Sequence, residues 1–258
     1  AYKAVEVEEM RASLPIETLH EQIKSQAPPL SMSGAFRGSA PMRLLSRILA
    51  EVKEASPSKG VLRPNLDGVA LAQEYQNAGA TAISVLTDKQ YFKGSFERLE
   101  SIRPHVNIPI LAKEFILDPW QIHRARAAGA DCVLLIVACL SDTQLRDLSE
   151  HAHNLGMETL VEVHDKKELH TALECGGDII GVNNRDLKTF TTSIEVSLGL
   201  APDIPENVVS LSESGIYSRE QMVPLEKAGF NGFLIGEGLV TEPVPGEKLR
   251  QLAGASTP

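Results

Sequence analysis

One recurring pattern restricts the fold of this chain more than any other. A helix-like segment closes on glycine, and a short β-branched apolar run follows at once. It reads NAGATAISVL (77–86), AAGADCVLLI (127–136), NLGMETLVEV (154–163), CGGDIIGV (175–182) and KAGFNGFLIG (227–236). Glycine at such a junction is what a helix C-cap in the left-handed conformation requires. The runs carry few charges, as expected of strands buried on both faces of a parallel sheet. ILAEVK (48–53), IPILAKEF (108–115) and ENVVSLSES (206–214) complete a set of eight strands, starting near 48, 81, 108, 131, 157, 178, 207 and 230.

Helical patterns lie between these runs, among them LDGVALAQEYQNAG, DPWQIHRARAAG and SDTQLRDLSEHAHNLG. Asp67, Asp118 and Ser141 stand where N-caps belong, and Pro119 follows at the first helical position. From residue 48 onward the spacing is about 26 residues per βα unit, which predicts an α/β fold of the (β/α)8 TIM-barrel type. A doubly wound open sheet is the alternative; no GxGxxG follows the first strand to support it. The expected organisation is an N-terminal helical extension over 1–47 and a single catalytic barrel over 48–258. VEVEEMRASLPIETLHEQIKSQ reads as helical on either side of Pro15, and APPLSMSGAFRGSAP reads as a loop. Two readings of the extension stand open. It is a solvent-exposed leader, or it packs on the barrel and shapes its mouth through Leu30 and Phe36.

Composition narrows the partners. The net charge is −9, with 34 acidic against 25 basic residues. That balance argues against nucleic-acid and anionic-membrane binding but allows an anionic small substrate held by a few local bases. Aromatic residues make up only 5% of the chain, too few for a base-stacking platform. Phe92, Phe96 and Phe115 read as core or pocket wall. Cys132, Cys139 and Cys175 show no CxxC spacing and suit three buried thiols in a reducing compartment. No apolar run approaches the ~20 residues of a spanning helix. The opening AYKAVEVEEMRASLPIETL lacks an apolar signal core and an initiator Met, so a processed or trimmed product is expected. The expected location is cytoplasmic, or an organelle stroma if a targeting segment was removed.

In such barrels chemistry sits at the C-terminal ends of the strands. Strand 1 ends Glu51-Val52-Lys53, strand 3 at Lys113, strand 5 at Glu162, and strand 6 at Asn183, followed by Asn184 and Arg185. Strand 7 ends Glu213-Ser214-Gly215 and strand 8 ends Gly236-Glu237-Gly238. Residues two apart share a face, so Glu51 and Lys53 point together. Singly, each is an ordinary strand-end residue. Together, inward charges at homologous ends of six strands are costly unless paired, and the economical reading is an active site. SPSKG (56–60), SG (214–215) and GEG (236–238) supply the glycines and helix starts that favour a phosphate. Lys113 ends a strand whose other inward residues are apolar, which predicts a poorly solvated, easily deprotonated ammonium. His151 and His153 read as surface residues. His164-Asp165 beside Glu162 gathers no third ligand by spacing, so no metal is expected.

The same residues carry a resemblance. ILAEVKEASPSKG, ISVLTDKQYFKGSFERL, PILAKEFILDPWQI, ADCVLLI, LVEVHD, IGVNNRDLKTF, SESGI and GFLIGEGLV, in that order over 48–240, resemble the signature of the indole-3-glycerol-phosphate synthase family. The first residues are similar to that family's helical extension. The resemblance implies decarboxylating ring closure of 1-(2-carboxyphenylamino)-1-deoxyribulose 5-phosphate in tryptophan biosynthesis, with no cofactor. It implies that Lys113 is the general acid on the carbonyl oxygen and that Glu162 completes proton transfer in the dehydration. Lys53 would hold the substrate carboxylate, and Glu51, Asn183, Glu213 and Ser214 would orient these groups. Ser56, Lys59, Phe115, Leu134, Arg185, Gly215, Gly236 and Glu237 would form the substrate and phosphate site. Glu237 replaces a small polar residue of some members, which leaves its backbone N–H as the expected contact. A phosphorylated small molecule is the expected partner. The expected assembly is a monomer, or one domain of a multifunctional chain. Alternatives are another sugar-phosphate barrel enzyme such as an isomerase, a Schiff-base aldolase using Lys113, or a catalytically dead barrel kept for binding.

Overall fold

The computed structural model describes residues 2–37, 45–186 and 189–255. Eight parallel strands close into a barrel: β1 Ile48–Val52, β2 Ala82–Leu86, β3 Ile110–Lys113, β4 Cys132–Ile136, β5 Glu158–Val163, β6 Ile179–Asn183, β7 Val209–Glu213 and β8 Gly232–Ile235. Each strand pairs with its sequence neighbours, and β8 closes on β1 with Leu234 beside Leu49. The junction glycines Gly79, Gly129, Gly156, Gly176 and Gly229 all have φ between 75 and 105°. Only glycine adopts that conformation cheaply, so the repeat that marks each helix end in the sequence also turns the chain into the next strand. Asp67, Asp118 and Ser141 accept backbone N–H bonds at the starts of the helices Gly68–Asn77, Pro119–Ala127 and Asp142–Asn154.

Strand alternation sorts the barrel residues into two layers. Ala50, Val52, Ile83, Val85, Val133, Leu135, Val161 and Ile180 face outward and pack under the surrounding helices. Leu49, Leu111, Leu134, Leu160, Leu211 and Leu234 face inward and fill the lumen. Two residues beyond Leu49, Leu111, Leu160 and Leu211 on the same inward faces come Glu51, Lys113, Glu162 and Glu213, so the site stands on a packed apolar floor.

Among its described residues the extension forms three helices, α1 Tyr2–Ser13, α2 Ile16–Lys24 and α3 Met32–Arg37. Pro15 separates the first two: it has no N–H for the α1 ladder, and its fixed φ of −60° suits the start of α2. Leu19 of α2 is buried against Trp120 and Ala127, and Trp120 Nε1 donates to Leu14 O at 3.1 Å. The loop expected over 27–41 is corrected at Met32–Arg37. Ser33 donates both its backbone N–H and its hydroxyl to Glu158, at 2.7 Å each, and this anchor lets a Ser- and Gly-containing stretch coil. Residues 38–44, 187 and 188, which fall within the expected extension and the IGVNNRDLKTF motif, lie outside the described residues, as do 1 and 256–258.

Of the two open readings, packing on the barrel holds for the helices of the extension, but Leu30 and Phe36 do not shape the mouth. Met32 and Phe36 are fully buried in the apolar lumen cluster, and a Cβ on Gly232, the first residue of β8, would fall 2.6 Å from the Phe36 ring. Phe36 therefore closes the N-terminal end of the barrel, opposite the charged strand ends. Leu30 is largely exposed, and its N–H donates to Asp131. The part of the extension that does reach the mouth is Lys3, which pairs with Asp88 at 2.6 Å and Glu114 at 2.8 Å after β2 and β3.

Two smaller expectations also change. His151 is half-buried, edge-on to His123, which in turn lies against His20 of α2; His153 is exposed and bonds Asp178. Cys132 and Cys175 are buried, but Cys139 is exposed at the mouth, in the turn after β4.

Candidate active site

The C-terminal ends of the strands surround a cavity of about 230 Å³. Glu51, Lys53, Ser56, Lys113, Phe115, Leu134, Glu162, Asn183, Arg185, Glu213, Ser214, Gly215, Gly236 and Glu237 all line it. Lys59 does not: it is exposed in the turn of a two-strand ribbon (Ala55–Ser56 with Gly60–Val61). Phe92, Ile136, Phe190 and Tyr217 add an apolar wall. Phe190 and Tyr217 were not singled out by sequence, because each sits on a loop whose course no strand pattern sets.

The charges form two groups. In the first, Lys113 Nζ lies 2.8 Å from Glu213 Oε2 and 3.1 Å from Glu162 Oε2. Asn183 Nδ2 donates to the other oxygen of Glu162 at 3.1 Å. In the second, Lys53 Nζ lies 2.5 Å from Glu51 Oε1. Two glycines make room. A Cβ on Gly181 would fall 2.1 Å from Glu213 Oε1, and one on Gly236 would fall 2.1 Å from Glu51 Oε1 and 2.8 Å from Lys53 Nζ. Gly236 thus leaves room for the Glu51–Lys53 pair in its present position, a reason the sequence argument about phosphate approach does not contain.

The expected easy deprotonation of Lys113 is corrected. Burial does favour its neutral form, but Glu213, Glu162 and Glu51 outweigh burial and hold the ammonium above its ordinary value. The two carboxylates share one ammonium. Burial, with Glu162 adding to it, pushes Glu213 up to about 7. Burial raises Glu162 as well, yet Lys113, His164 and Asn183 more than offset it and keep that carboxyl well below its usual range. The environment therefore separates two chemically identical groups into an ionised base and a carboxyl poised near neutrality.

The loops complete the mouth. Ser214 and Gly215 both have positive φ, 67° and 74°, and turn their backbone after β7. Asn184 braces that turn, donating to Ser212 Oγ at 2.9 Å and Ser214 O at 3.1 Å. Arg185 bonds Phe190 O at 3.2 Å and Ser58 Oγ at 3.4 Å, and its guanidinium stands 3.9 Å from Glu237. Ser56, Arg185, Gly215 and Glu237 thus bring one cation, one hydroxyl and backbone donors to one side of the cavity. Among the described residues no group of three His, Cys, Asp or Glu side chains is placed to hold a metal ion, and no helix is long and apolar enough to cross a membrane.

The cavity thus holds a lysine clamped by two unlike carboxylates and a second lysine paired with Glu51. The family model described as indole-3-glycerol phosphate synthase matches residues 1–252. The chain belongs to the indole-3-glycerol phosphate synthase family. It is 45% identical over 263 residues to the indole-3-glycerol phosphate synthase of Roseiflexus sp. (strain RS-1), covering 99% of this chain and 96% of that one. It is 52% identical over 207 residues to that of Koribacter versatilis (strain Ellin345), covering 80% of each. Among solved structures it resembles KGPDC from Streptococcus mutans, with a TM-score of 0.63, 14% identity, and coverage of 81% of this chain and 95% of that one. The thiamine phosphate pyrophosphorylase of Pyrococcus furiosus gives a TM-score of 0.61 at 16% identity, covering 83% and 96%. These two likenesses are of fold. The activity of the family is a carboxy-lyase reaction of tryptophan biosynthesis, the ring closure of 1-(2-carboxyphenylamino)-1-deoxyribulose 5-phosphate to indole-3-glycerol phosphate, CO2 and water.

Proposed function

We propose that Lys113 is the general acid and Glu162 the base of this ring closure. The observation that carries the assignment is the Lys113–Glu162–Glu213 cluster, in which one proton donor and two differently tuned carboxylates meet within 3.1 Å. In the first step the ring carbon bearing the substrate carboxylate attacks the C2 carbonyl carbon. The Lys113 ammonium gives its proton to the carbonyl oxygen as that oxygen gains alkoxide character. The high proton affinity of Lys113 is compatible with this, because an alkoxide is the stronger base. CO2 then leaves, and its bonding electrons return to the iminium-like ring system. Finally the C2 hydroxyl takes a proton from the Lys53 ammonium, freed of the carboxylate once CO2 has left, and departs as water while Glu162 accepts the proton the ring system loses. Glu213, poised near 7, is placed to return a proton to Lys113 after the dehydration, which resets the site for the next turnover.

Lys53, held by Glu51, is the charge that anchors the substrate carboxylate, and Asn183 aims Glu162. Arg185, Ser56, Ser214, Gly215 and the backbone at Gly236–Glu237 hold the phosphate; Phe115 and Leu134 form the wall for the aromatic ring. No cofactor enters this scheme. A complete set of acid, base and anchors lines one cavity of one chain, which supports a monomer as the working unit. Three cysteines without a disulfide among the described residues support a reducing, cytoplasmic setting.

Lys113→Met and Lys53→Met test the assignment. Loss of a general acid costs about 10²–10⁴-fold in rate. Lys113→Met should therefore collapse kcat while the substrate still binds. Lys53→Met should raise KM at least as much as it lowers kcat. Both are read by the fluorescence of indoleglycerol phosphate and by substrate titration. Near-normal kcat in Lys113→Met overturns the role given to Lys113.

A further inference from the structure

His164 is the first residue after β5 and lies on the same side of the strand as Glu162, two residues back. Its ring is largely buried and joins two carboxylates. Nε2 stands 3.4 Å from Glu162 Oε1, and Nδ1 stands 2.9 Å from Glu168 Oε2. The backbone N–H of His164 donates to that same Glu168 oxygen at 2.8 Å. Glu168 is in turn fixed at the start of the helix Lys166–Glu174, where the Asp165 side chain accepts its N–H at 2.9 Å. The chain of contacts Lys113, Glu162, His164, Glu168 therefore runs from the reacting centre to a rigid helix start.

The reaction changes the charge next to Glu162. While Lys113 is an ammonium, Glu162 has a cation 3.1 Å away. Once Lys113 has given up its proton, a buried carboxylate without a counter-charge takes up a proton readily. A protonated Glu162 cannot act as the base of the following dehydration. A second cation beside Glu162 that does not take part in the first proton transfer removes this difficulty. We propose that His164 is a positioning residue of the active site: as an imidazolium held by Glu168, it keeps Glu162 aimed and ionised after Lys113 has been neutralised. This rests on the role given to Glu162 above.

The surroundings agree. The groups acting on His164 are Glu162 from β5 and Glu168 from the following helix; the Cys139 thiol after β4 lies near those two carboxylates, and Lys113 and Asn183 act on His164 through Glu162. Burial favours the neutral ring, but the two carboxylates prevail and raise His164 to about 10, so it is charged through the neutral range. Its Nε2 makes no hydrogen bond in the free protein and faces Glu162 at 3.4 Å, an ion-pair contact that acts through charge.

The test is the pH profile of kcat for His164→Gln, Glu168→Gln and Glu162→Gln in the full chain. An adjacent opposite charge lowers a carboxyl by about 1–3 units. His164→Gln should therefore shift the acidic limb of kcat to higher pH by about one unit or more and lower kcat roughly tenfold at pH 7, with KM changed less than about twofold. Glu168→Gln should shift the limb in the same direction by less. His164→Lys, which restores a cation, should recover part of the rate. An unmoved acidic limb in both His164→Gln and Glu168→Gln overturns the proposal. If His164→Gln does not fold, Glu168→Gln and the 15N titration of the His164 ring in the wild type decide: a ring neutral at pH 7 rejects it. Glu162→Gln separates the two layers of argument. Retained kcat there overturns the base assignment, whereas a collapse of kcat in Glu162→Gln with unmoved limbs elsewhere overturns the His164 role alone.

Discussion

The two ends of the barrel are built from the same inward-facing strand positions and differ in what fills them. At the N-terminal end the lumen is apolar, and Met32 and Phe36 of the extension complete it. At the C-terminal end the next inward positions are Glu51, Lys113, Glu162, Asn183 and Glu213, with Lys53 just past β1. The extension touches both, with Phe36 below and Lys3 above, between Asp88 and Glu114. Apolar burial at one end stabilises the fold without regard to chemistry. At the other, burial separates the proton affinities of Glu162 and Glu213, which is useful chemically and costly for folding. Stability and function are thus divided along the barrel axis.

Phe36→Ala is the strongest way to break that division. A fully buried Phe replaced by Ala costs about 3–5 kcal/mol. The variant should lose that much unfolding free energy in denaturant titration and yet keep kcat and KM within about twofold at a temperature where it is folded. A large fall in kcat with little loss of stability would show that the plug also shapes the mouth and that the two ends are not independent.

How far this division could be read beforehand depended on locality. The strand starts differ from those inferred by at most two residues, since each is set by its own apolar run, in five cases directly behind a junction glycine. The inward positions of Glu51, Lys113, Glu162, Asn183 and Glu213 follow from alternation within single strands. What sequence did not contain is anything fixed across the barrel. Lys113 meets Glu213 from a strand 100 residues away, so its raised proton affinity was read with the wrong sign. The helix Met32–Arg37 is illegible in the sequence for the same reason: its first turn is held by Glu158, 125 residues on from Ser33. The role of His164 is equally hidden in the sequence, because it depends on the fold setting Glu168 of the next helix against its ring.

Glu213→Gln sharpens the comparison at the functional end. The folded protein holds the Glu213 proton up to about pH 7, above the usual carboxyl range, so the native state binds more protons than the unfolded chain between those limits. Stability must then fall as pH rises through that window, by up to about 1.4 kcal/mol per unit for this one group. Removing the titration should flatten the curve: between pH 5 and 7 wild-type stability should decline relative to Glu213→Gln, by roughly 1–3 kcal/mol in total. Parallel stability curves for the two proteins would mean that Glu213 is ionised throughout and that the carboxylates are not tuned apart.

The smallest effect concerns the rim. Glu237 follows Gly236 at the start of a short helix, Glu237–Val240, and its carboxylate stands 3.9 Å from the Arg185 guanidinium and beside Tyr217. In the free protein it occupies the neighbourhood that the substrate phosphate is proposed to enter. An anion there repels a phosphate and competes for Arg185, while the backbone N–H of the same residue attracts it. Glu237→Ser keeps the backbone and removes the repulsion. Near a surface of intermediate dielectric the gain is modest, about 0.5–1 kcal/mol, which corresponds to a KM roughly two- to fivefold lower. Inhibition by inorganic phosphate should strengthen by a similar factor, kcat should stay level, and the advantage should shrink as salt is added. A KM that rises instead would show that the Glu237 carboxylate holds Arg185 in its binding position, and that this end of the barrel, like the other, relies on that side chain for structure.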